Sequence, residues 1–366
     1  MACVVSSSPP INALYSSHSP GCLHHVTVPH TATSQDTPMA SEQVGGAAAG
    51  DQEDGVVMVT CQELQAFCVR CLQKVGAVTD HAQAMAELIV AADYRGHYSH
   101  GLNRIGAVVA TFAMDLAIRK AKDVGIGWVS VRGSGHFGIA GWYSLRAMEQ
   151  GLIGMAFTNA SANMVPTRAT QSTLGANPIA VAAPAKDGDS FVLDMSTTTV
   201  AAGKVEVKRT MQQPLPAGWA VDCDGKPTTD PNKMINGGGL MPLGGAEETG
   251  GYKGYGLSMM VEVFCGILSG ATFGPFVPRW SKHNAPVNLG QCFVALDPQV
   301  FAPGFADRLS QLLNHCRNLQ PAEGESEVLV PGDPERQHME KCDALEGIPY
   351  TRKQIDWARN CLGGRF

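Results

Sequence analysis

A histidine stands inside a glycine-rich stretch, VRGSGHFGIAGW, at residues 131–142. Gly133, Gly135 and Gly138 match the G-x-G-x-x-G pattern of dinucleotide-binding loops, and His136 lies among them. A phosphate-binding loop would also need an acidic residue about 20 positions further on, at the end of the next strand. That strand ends in FTNAS, without one. The pattern therefore favours a catalytic histidine presented on a loop that a ligand can approach closely, with a buried structural histidine as the alternative.

A second group of polar residues occupies RGHYSHGLNR, residues 95–104. His100 and Arg104 are four positions apart, so a helix would place both on one face. A guanidinium can bind the carboxylate of a 2-oxo or 2-hydroxy acid through two hydrogen bonds, and an imidazole can exchange a proton with the neighbouring oxygen. Two other interpretations are a solvated loop and a zinc site at His97 and His100. No third ligand at metal-binding spacing supports zinc, so no metal site is expected.

Two further stretches have the composition of ligand-binding loops. In TLGANPIAV, Gly175 and Asn177 come just before a predicted strand. In GGYKGYG, Lys253 lies between glycines and leads into an apolar helix. A lysine beside a helix N-terminus suits a phosphate or a carboxylate.

Composition excludes some classes of protein. The 366 residues carry a net charge of -6 and no basic cluster, so we expect no nucleic-acid partner. No apolar run reaches the roughly 20 residues that a membrane span needs. The chain has eleven cysteines and no signal-peptide pattern, which indicates free thiols in the cytoplasm. Cys68 and Cys71 form a single C-x-x-C, which we interpret as helix packing rather than a redox or metal motif.

Secondary-structure patterns position these residues. Residues 1–55 are rich in Ser, Thr, Pro and Gly, which predicts a disordered extension. Strands mixed with helices follow, as in an α/β fold, and residues 214–251 read as a long aperiodic surface excursion. The patterns predict strands at 56–60, 125–132, 152–159, 178–185, 190–196 and 292–298, and helices at 61–76, 80–96, 111–122, 140–151, 256–269, 305–319 and from about 351. Thr60 and Glu63 form a capping box at the first helix.

The ordered motifs together resemble one enzyme family. They are DYRGHYSHGLNR, GSGHFGIAGWYSLRAMEQGLIGMAFTNAS, LGANPIAVAAP, FVLDMSTTTVAAGKVEV, PAGWAVDCDGKPTTDP, LMPLGG and GGYKGYGLSMMVE. From about Val56 to Ile355 the chain is similar to the malate/L-lactate (sulfolactate, ureidoglycolate) dehydrogenases. These are NAD(P)-dependent oxidoreductases without a Rossmann fold, and the likeness is strongest to animal malate-dehydrogenase-like members.

The resemblance implies an architecture and an activity. A nucleotide-binding domain with a mixed, largely antiparallel sheet, residues 111–299, would be embedded in a helical substrate domain made from residues 56–110 and 300–366. The chain would form a homodimer, with the site between domains. It would transfer a hydride between NAD or NADP and a small malate- or lactate-like 2-hydroxy acid. Which acid and which cofactor it uses stay open.

The resemblance also implies roles for individual residues. His136 would be the acid/base, with His100 as its rival. Ser99 and Arg104 would bind substrate. Ala160 replaces a serine that some members have near the nicotinamide. The residues that would contact the cofactor are Asn177, Asp194, Met195, Ser196, Lys253, Gly332, Asp333 and Glu335.

One departure from the family pattern follows Ile105. Members usually carry a few dozen more residues between the arginine matched by Arg104 and the helix matched by FAMDLAIRKAK. Loss of that segment would remove buried sheet and part of the wall beside the cofactor. The alternative hypothesis is therefore a catalytically silent isoform that binds only nucleotide or a partner subunit.

Overall fold

The computed structural model describes residues 2–6, 24–27, 56–74, 79–95, 109–278, 288–352 and 355. The strands are β1 (Ala2–Ser6), β2 (His24–Thr27), β3 (Val56–Val59), β4 (Ile126–Ser134), β5 (Ile153–Thr158), β6 (Ile179–Pro184), β7 (Ser190–Met195), β8 (Ala220–Val221), β9 (Pro227–Thr228), β10 (Gly239–Leu240), β11 (Leu289–Leu296) and β12 (Ile348–Thr351). The helices are α1 (Cys61–Lys74), α2 (Thr79–Tyr94), α3 (Val109–Val124), α4 (Ala140–Met148), α5 (Ala202–Thr210), α6 (Pro231–Ile235), α7 (Gly251–Glu262), α8 (Phe305–Arg317) and α9 (Asp333–Ala344).

A seven-stranded sheet in the order β2-β1-β4-β11-β5-β6-β7 forms the centre of the fold. The five strands from β4 to β7 in that order pair antiparallel, whereas β1 pairs parallel with both β2 and β4. The expected mixed, largely antiparallel sheet is therefore confirmed. A Rossmann sheet is parallel, so the glycine-rich stretch after β4 does not belong to that fold.

The two N-terminal strands correct one expectation. Residues 1–55 were expected to be disordered, and at β1 and β2 this prediction is wrong. The β-branched segment of β1 pairs with the outer edge of β4, which would otherwise expose unpaired backbone groups. The other residues of this segment lie outside the described residues.

Helices cover both faces of the sheet. On one face α3 and α4 pack against alternate residues of the central strands, including Val129, Ala156 and Phe293. On the other face α7 and the π-helical turn after it, Val263–Ile267, pack against Phe157 and residues in register with it. This alternation follows from the strand period of two, which sends successive side chains to opposite faces.

A separate helical core contains α1, α2, α9 and the antiparallel pair of strands β3 and β12, which come from distant parts of the described chain. Cys68 is fully buried there, beside Leu64 and Phe67, so its interpretation as a packing residue is confirmed. The capping box is also confirmed, because Glu63 N donates to Thr60 Oγ1 at 3.2 Å and Thr60 N donates to Glu63 Oε2 at 3.1 Å. Among the described residues no helix is both long and apolar enough to cross a membrane.

Two expectations about the later chain need correction. Residues 214–251 are not a simple surface excursion, because β8, β9, β10 and α6 form a small unit with its own core at Leu215, Ala220, Met234 and Leu240. Gly and Pro punctuate these very short elements, and this hid their pattern. Residues 333–344, for which the sequence patterns predict no helix, form α9.

Candidate active site

Five strand ends meet at one end of the sheet, which we call the His136 end. Because β4, β11, β5, β6 and β7 alternate in direction, the register aligns Leu289 with Ser134, Gln291 with Thr158, and Ile179 with Met195. The loop carrying His136 leaves β4 here. Asn177 enters β6 here, and Ser196 follows β7 here. The structure therefore places His136, Asn177 and the adjacent pair Met195 and Ser196, all predicted site residues, at the same end of the sheet.

Neighbouring side chains fix the backbone of the His136 loop. Asn288 Oδ1 accepts from Gly133 N at 2.6 Å, and Gln291 Nε2 donates to Gly135 O at 2.9 Å. The buried Tyr143 hydroxyl donates to Phe137 O at 2.6 Å. These contacts come from β11, α4 and the residue before β11, so the loop is held on two sides. The sequence gives no signal for Gln291, which nothing in its strand pattern distinguishes.

His136 itself is half-buried, and its ring contacts its own loop. Gly138 N donates to His136 Nδ1 at 3.1 Å. Gly138 has φ +82°, and a Cβ at this position would lie 2.1 Å from Leu88 Cδ2 on α2, so only glycine fits. Gly138 thus allows the turn of the loop that carries His136.

Asp194 occupies the N-terminus of α4. Its Oδ2 accepts from Gly141 N at 2.7 Å, in the place where a dinucleotide-binding loop would hold a phosphate. This carboxylate fills the anion position of the helix, which removes the phosphate-binding interpretation of residues 133–138.

Asp194 also affects the charge of Arg95. Burial lowers the pKa of Arg95, and the charges of Glu335 and Asp194 oppose that effect. No sequence pattern distinguishes Arg95, which directly follows α2 at the start of the expected substrate-binding stretch.

An apolar cavity of about 440 Å³ lies between the sheet and α7. Its walls include Trp128, Phe157, Met195 and Leu257. Ser196, one residue beyond Met195, donates through Oγ to Thr198 O at 3.1 Å. Met195 thus lines this partly open apolar cavity, while the Ser196 hydroxyl bonds the chain that leaves the sheet.

Asn177 belongs to a buried polar network. Its Nδ2 donates to Glu262 Oε1 at 2.9 Å and to Ser258 Oγ at 3.0 Å, and its Oδ1 accepts from Ala160 N at 3.0 Å. Asn159 Nδ2 donates to Glu262 Oε2 at 3.0 Å. Asn177 is fully buried, and its amide is used inside the protein. Its side chain therefore joins β6 to α7, and its predicted cofactor contact stays a prediction.

Lys253 is exposed in the first turn of α7. Its ammonium lies 5.8 Å from the centre of the Tyr252 ring. Gly250 precedes the helix with φ +96°, and a Cβ there would lie within 4.0 Å of Lys253 Cδ, Cε and Nζ. Gly254 packs against Leu243, whose backbone N donates to Thr197 O at 2.9 Å. These contacts bring the start of α7 toward the His136 end.

Gly332 packs against β7, and Asp333 and Glu335 follow it in the first turn of α9. A Cβ on Gly332 would lie 3.1 Å from Val192 Cβ, and Val192 N donates to Pro331 O at 3.1 Å. Glu335 lies close enough to Arg95 to affect its pKa.

Asp333 is enclosed in a network of ion pairs. Arg317 Nε donates to Asp333 Oδ2 at 2.9 Å, and Arg317 Nη1 donates to Asp189 Oδ2 at 2.6 Å. Arg336 also bonds Asp333. Hydrogen bonds from Arg317 hold the pKa of Asp333 and of Asp189 below its usual range. The contacts join β7, α8 and α9, and they occupy both oxygens of the Asp333 carboxylate.

Four predicted residues, His97, Ser99, His100 and Arg104, lie outside the described residues. The meeting of His100 and Arg104 with His136 therefore stays a prediction. Within the described ranges no three His, Cys, Asp or Glu side chains form a group able to hold a metal ion. Burial raises the pKa of the thiols of Cys265 and Cys292, so neither suits a nucleophilic role.

Comparison with known proteins places the chain in a family. The sequence profile of malate/L-lactate dehydrogenase matches residues 59–106 and 103–357. The malate dehydrogenase of Pyrococcus abyssi is 37% identical over 346 residues, covering 84% of this chain and 94% of that protein. The ureidoglycolate dehydrogenase (NAD(+)) of Escherichia coli O157:H7 is 32% identical over 76% of this chain and 88% of its own length.

One more relative and one solved structure are also similar to this chain. The (2R)-3-sulfolactate dehydrogenase (NADP(+)) of Chromohalobacter salexigens is 32% identical over 82% of this chain and 97% of its own length. The crystal structure of malate dehydrogenase from Entamoeba histolytica superposes with a TM-score of 0.78 at 27% identity, covering 84% of this chain and 97% of that one. With its largely antiparallel sheet and its His136 loop, this chain belongs to the malate/L-lactate dehydrogenase family, a family of NAD(P)-dependent hydroxy-acid dehydrogenases.

Proposed function

We propose that this chain interconverts a small 2-hydroxy acid and its 2-oxo acid, with NAD or NADP as the redox partner. The observation that carries the proposal is the position of His136. His136, on a loop held by Gln291, lies at the same end of the sheet as Met195 and Ser196, in a chain of the malate/L-lactate dehydrogenase family. Malate- or lactate-like acids are the substrates that we propose.

The described residues fit a dinucleotide at two points. Lys253 offers a cation beside the start of α7, and Gly250 leaves open the space that a side chain would fill there. The cavity beside Met195 has a volume in the usual range for small-molecule sites and an apolar lining that suits a planar ring. Lys253 would hold phosphates, whereas Met195 and Ser196 would lie along the cofactor. The polar atoms of Asp333 and Asn177 bond other protein groups. These two residues would therefore hold in place the elements that carry the cofactor-binding residues.

In the mechanism that we propose, the chain supplies alignment and charge. A bound nicotinamide supplies or takes up the hydride. Arg104 would anchor the substrate carboxylate through two hydrogen bonds, with Ser99 beside it. His136 would contact the oxygen on C2, and either His136 or His100 would exchange the proton with it. The fixed loop of His136 lowers the cost of reaching a reactive geometry.

The domain arrangement is part of the proposal. Residues 111–299 would form the nucleotide-binding domain, and residues 56–110 with 300–366 the helical substrate domain. Arg95, the residue after α2, supports this division, because the charges of Asp194 on β7 and Glu335 on α9 both raise its pKa against the effect of burial. For location we propose the cytoplasm, since seven described cysteines are thiols: Cys61, Cys68, Cys223, Cys265, Cys292, Cys316 and Cys342.

We also propose a homodimer. Along α7 and the turn after it, Tyr252, Met259, Val263 and Ile267 form one apolar face, and each is about half exposed. A contiguous exposed apolar face is typical of a surface that another chain buries. Sedimentation velocity should give a dimer for the wild type and a monomer for Val263→Lys with Ile267→Lys. Val207→Lys, at an exposed apolar residue of α5, serves as the control.

A missing segment after Ile105 is supported by two features of the comparisons. The family profile matches in two parts that meet at residues 103–106. The alignment with the Pyrococcus abyssi enzyme runs over 346 positions although it takes up only 84% of a 366-residue chain, so the relative has positions without a counterpart here. This gap motivates the alternative function, a silent isoform that binds nucleotide or a partner subunit.

One experiment decides between the two functions. The purified chain is incubated with NADH or NADPH and a panel of 2-oxo acids, and absorbance at the nicotinamide band is followed. Cofactor binding is measured in parallel by calorimetry. Turnover of any 2-oxo acid supports the dehydrogenase. Binding without turnover of any acid supports the silent isoform, and the absence of both rejects the two proposals together.

A further inference from the structure

The strand β1 lies on the outer edge of β4, although it comes from outside the part of the chain that matches the family. Its five residues pair in parallel with β4, from Ala2 with Trp128 to Ser6 with Arg132. The match to the family profile begins only at residue 59. Without β1, β4 would be the last strand of the sheet as the structure describes it. An additional segment therefore covers this edge of the sheet.

The strand β4 has the character of an inner strand. Its central residues Val129, Ser130 and Val131 are buried. Its nine residues include no proline and only one charged side chain, that of Arg132. Natural edge strands are usually short, or they carry lysine, proline or a bulge that prevents pairing with another chain. An uncovered β4 would instead present a long, mostly apolar row of unpaired N–H and C=O groups.

The two N-terminal strands replace this long edge by a short one. β1 has five residues, and β2, which pairs in parallel with it from Cys3 with His24 to Ser6 with Thr27, has four. A short outer strand offers few free backbone groups to another chain. The pair therefore protects the edge of the sheet beside β4.

β1 reaches β4 from a distant part of the chain. Parallel strands cannot be joined by a tight turn, and the helices α1, α2 and α3 all lie between Ser6 and Ile126 in the sequence. Such a covalent link favours pairing only through an effective concentration, which is about millimolar for short flexible linkers. A free peptide with the sequence of β1 can therefore compete with it at a comparable concentration.

We propose that the edge of β4 is a strand-binding site, which the chain fills with its own residues 2–6 and which accepts a separate peptide of the same sequence. The ligand is an extended, uncharged segment with β-branched residues, such as Val4 and Val5, that binds parallel to β4 through backbone hydrogen bonds. β4 ends at Ser134, directly before the loop of His136. The inference goes beyond the proposed dehydrogenase function and does not depend on it.

Hydrogen exchange followed by mass spectrometry tests the pairing in the full chain. β1 lies between β2 and β4, so its backbone N–H groups alternate between the two neighbours. Val4→Pro together with Val5→Pro removes one N–H on each side. We expect the amides of residues 128–132 to exchange at least tenfold faster than in the wild type, while those of β5 keep their rates. Equal rates at residues 128–132 in the variant and the wild type would overturn the proposal.

A matched control separates backbone pairing from side-chain effects. Val4→Thr together with Val5→Thr keeps both N–H groups and the β-branched shape. This variant should exchange like the wild type at residues 128–132. Faster exchange equal to that of the proline variant would show that the backbone of β1 does not protect β4, and it would also overturn the proposal.

A peptide tests whether the strand can be replaced. Acetylated ACVVSSS, residues 2–8, is added at about 1 mM to the full chain that carries both prolines, under reducing conditions. We expect exchange at residues 128–132 to slow at least threefold. The same peptide with Val4→Pro and Val5→Pro should have no effect. Slowing by both peptides alike, or by neither, would show that the edge of β4 does not recognise this strand.

Discussion

The Asp194 carboxylate accepts a hydrogen bond from the backbone N–H of Gly141, with 2.7 Å between Oδ2 and N. This contact joins the end of β7 to the first turn of α4, which no side chain of its own N-terminus caps. A carboxylate at a helix N-terminus also interacts favourably with the helix dipole. Asp194 therefore fixes α4, and with it one side of the His136 loop.

Replacing Asp194 should separate its charge from its hydrogen bond. We expect Asp194→Ala to lower the free energy of unfolding by about 2 kcal/mol, because α4 loses its cap and Arg95 loses a neighbouring negative charge. Asp194→Asn keeps an acceptor oxygen and should lose less. Urea unfolding measures both, with the exposed Asp224→Ala as a control expected within about 0.5 kcal/mol of the wild type. Equal losses for Ala and Asn would mean that the Gly141 hydrogen bond contributes nothing.

Local patterns in the sequence predicted much of the fold. The capping box at Thr60 and Glu63, the strand before His136 and the helix after it are set by neighbouring residues, and all are present. Contacts between distant residues could not be predicted in this way. Gln291 lies in an otherwise apolar strand, and Arg317 lies in an ordinary amphipathic helix. Their roles depend on which strands and helices meet, a property of the tertiary fold.

Replacing the Glu262 carboxylate by an amide should lower the free energy of unfolding. Its Oε1 accepts from Asn177 Nδ2, and its Oε2 accepts from Asn159 Nδ2 and Gly274 N at 3.0 and 3.1 Å. In Glu262→Gln an NH2 group would face a donor on one side or the other. We expect a loss of about 2–4 kcal/mol.

Thermal unfolding checks the Glu262 prediction. The midpoint of Glu262→Gln should fall by about 5 °C or more. The exposed Glu248→Gln serves as the control and should leave it nearly unchanged. A midpoint of Glu262→Gln equal to that of the control would contradict the role of this carboxylate as the centre of the network.

Arg317 should make stability depend on pH in the acid range. The pKa of Asp189 and of Asp333 is lowered in the folded chain, mainly by hydrogen bonds from Arg317. Each carboxylate therefore stabilises the fold above its unfolded pKa of about 3.9, and this contribution is lost as pH falls through the lower folded pKa. We expect Arg317→Met to cost about 2–3 kcal/mol at pH 7 and less at pH 3.

Unfolding by urea at several pH values between 7 and 3 follows this difference. The exposed Arg209→Met is the control, and its difference from the wild type should be small at every pH. A cost of Arg317→Met that stays constant across the range would show that packing of the long side chain, rather than its charge, accounts for the effect.

Gln291 should affect catalysis more than stability. Its fully buried amide donates to Gly135 O at 2.9 Å, while Oε1 has no hydrogen-bond partner within the described part of the chain. Gln291→Met keeps the volume, removes the hydrogen bond and also removes the unpartnered oxygen, so the free energy of unfolding should change by about 1 kcal/mol or less. The His136 loop loses one of its anchors, and we expect kcat to fall roughly tenfold with little change in KM. Steady-state kinetics on the 2-oxo acid that is turned over best, beside the exposed Gln299→Met, measure this split. Unchanged kcat would mean that Asn288 and Tyr143 hold the loop without Gln291, and a fall in stability of several kcal/mol would assign the amide to the core alone.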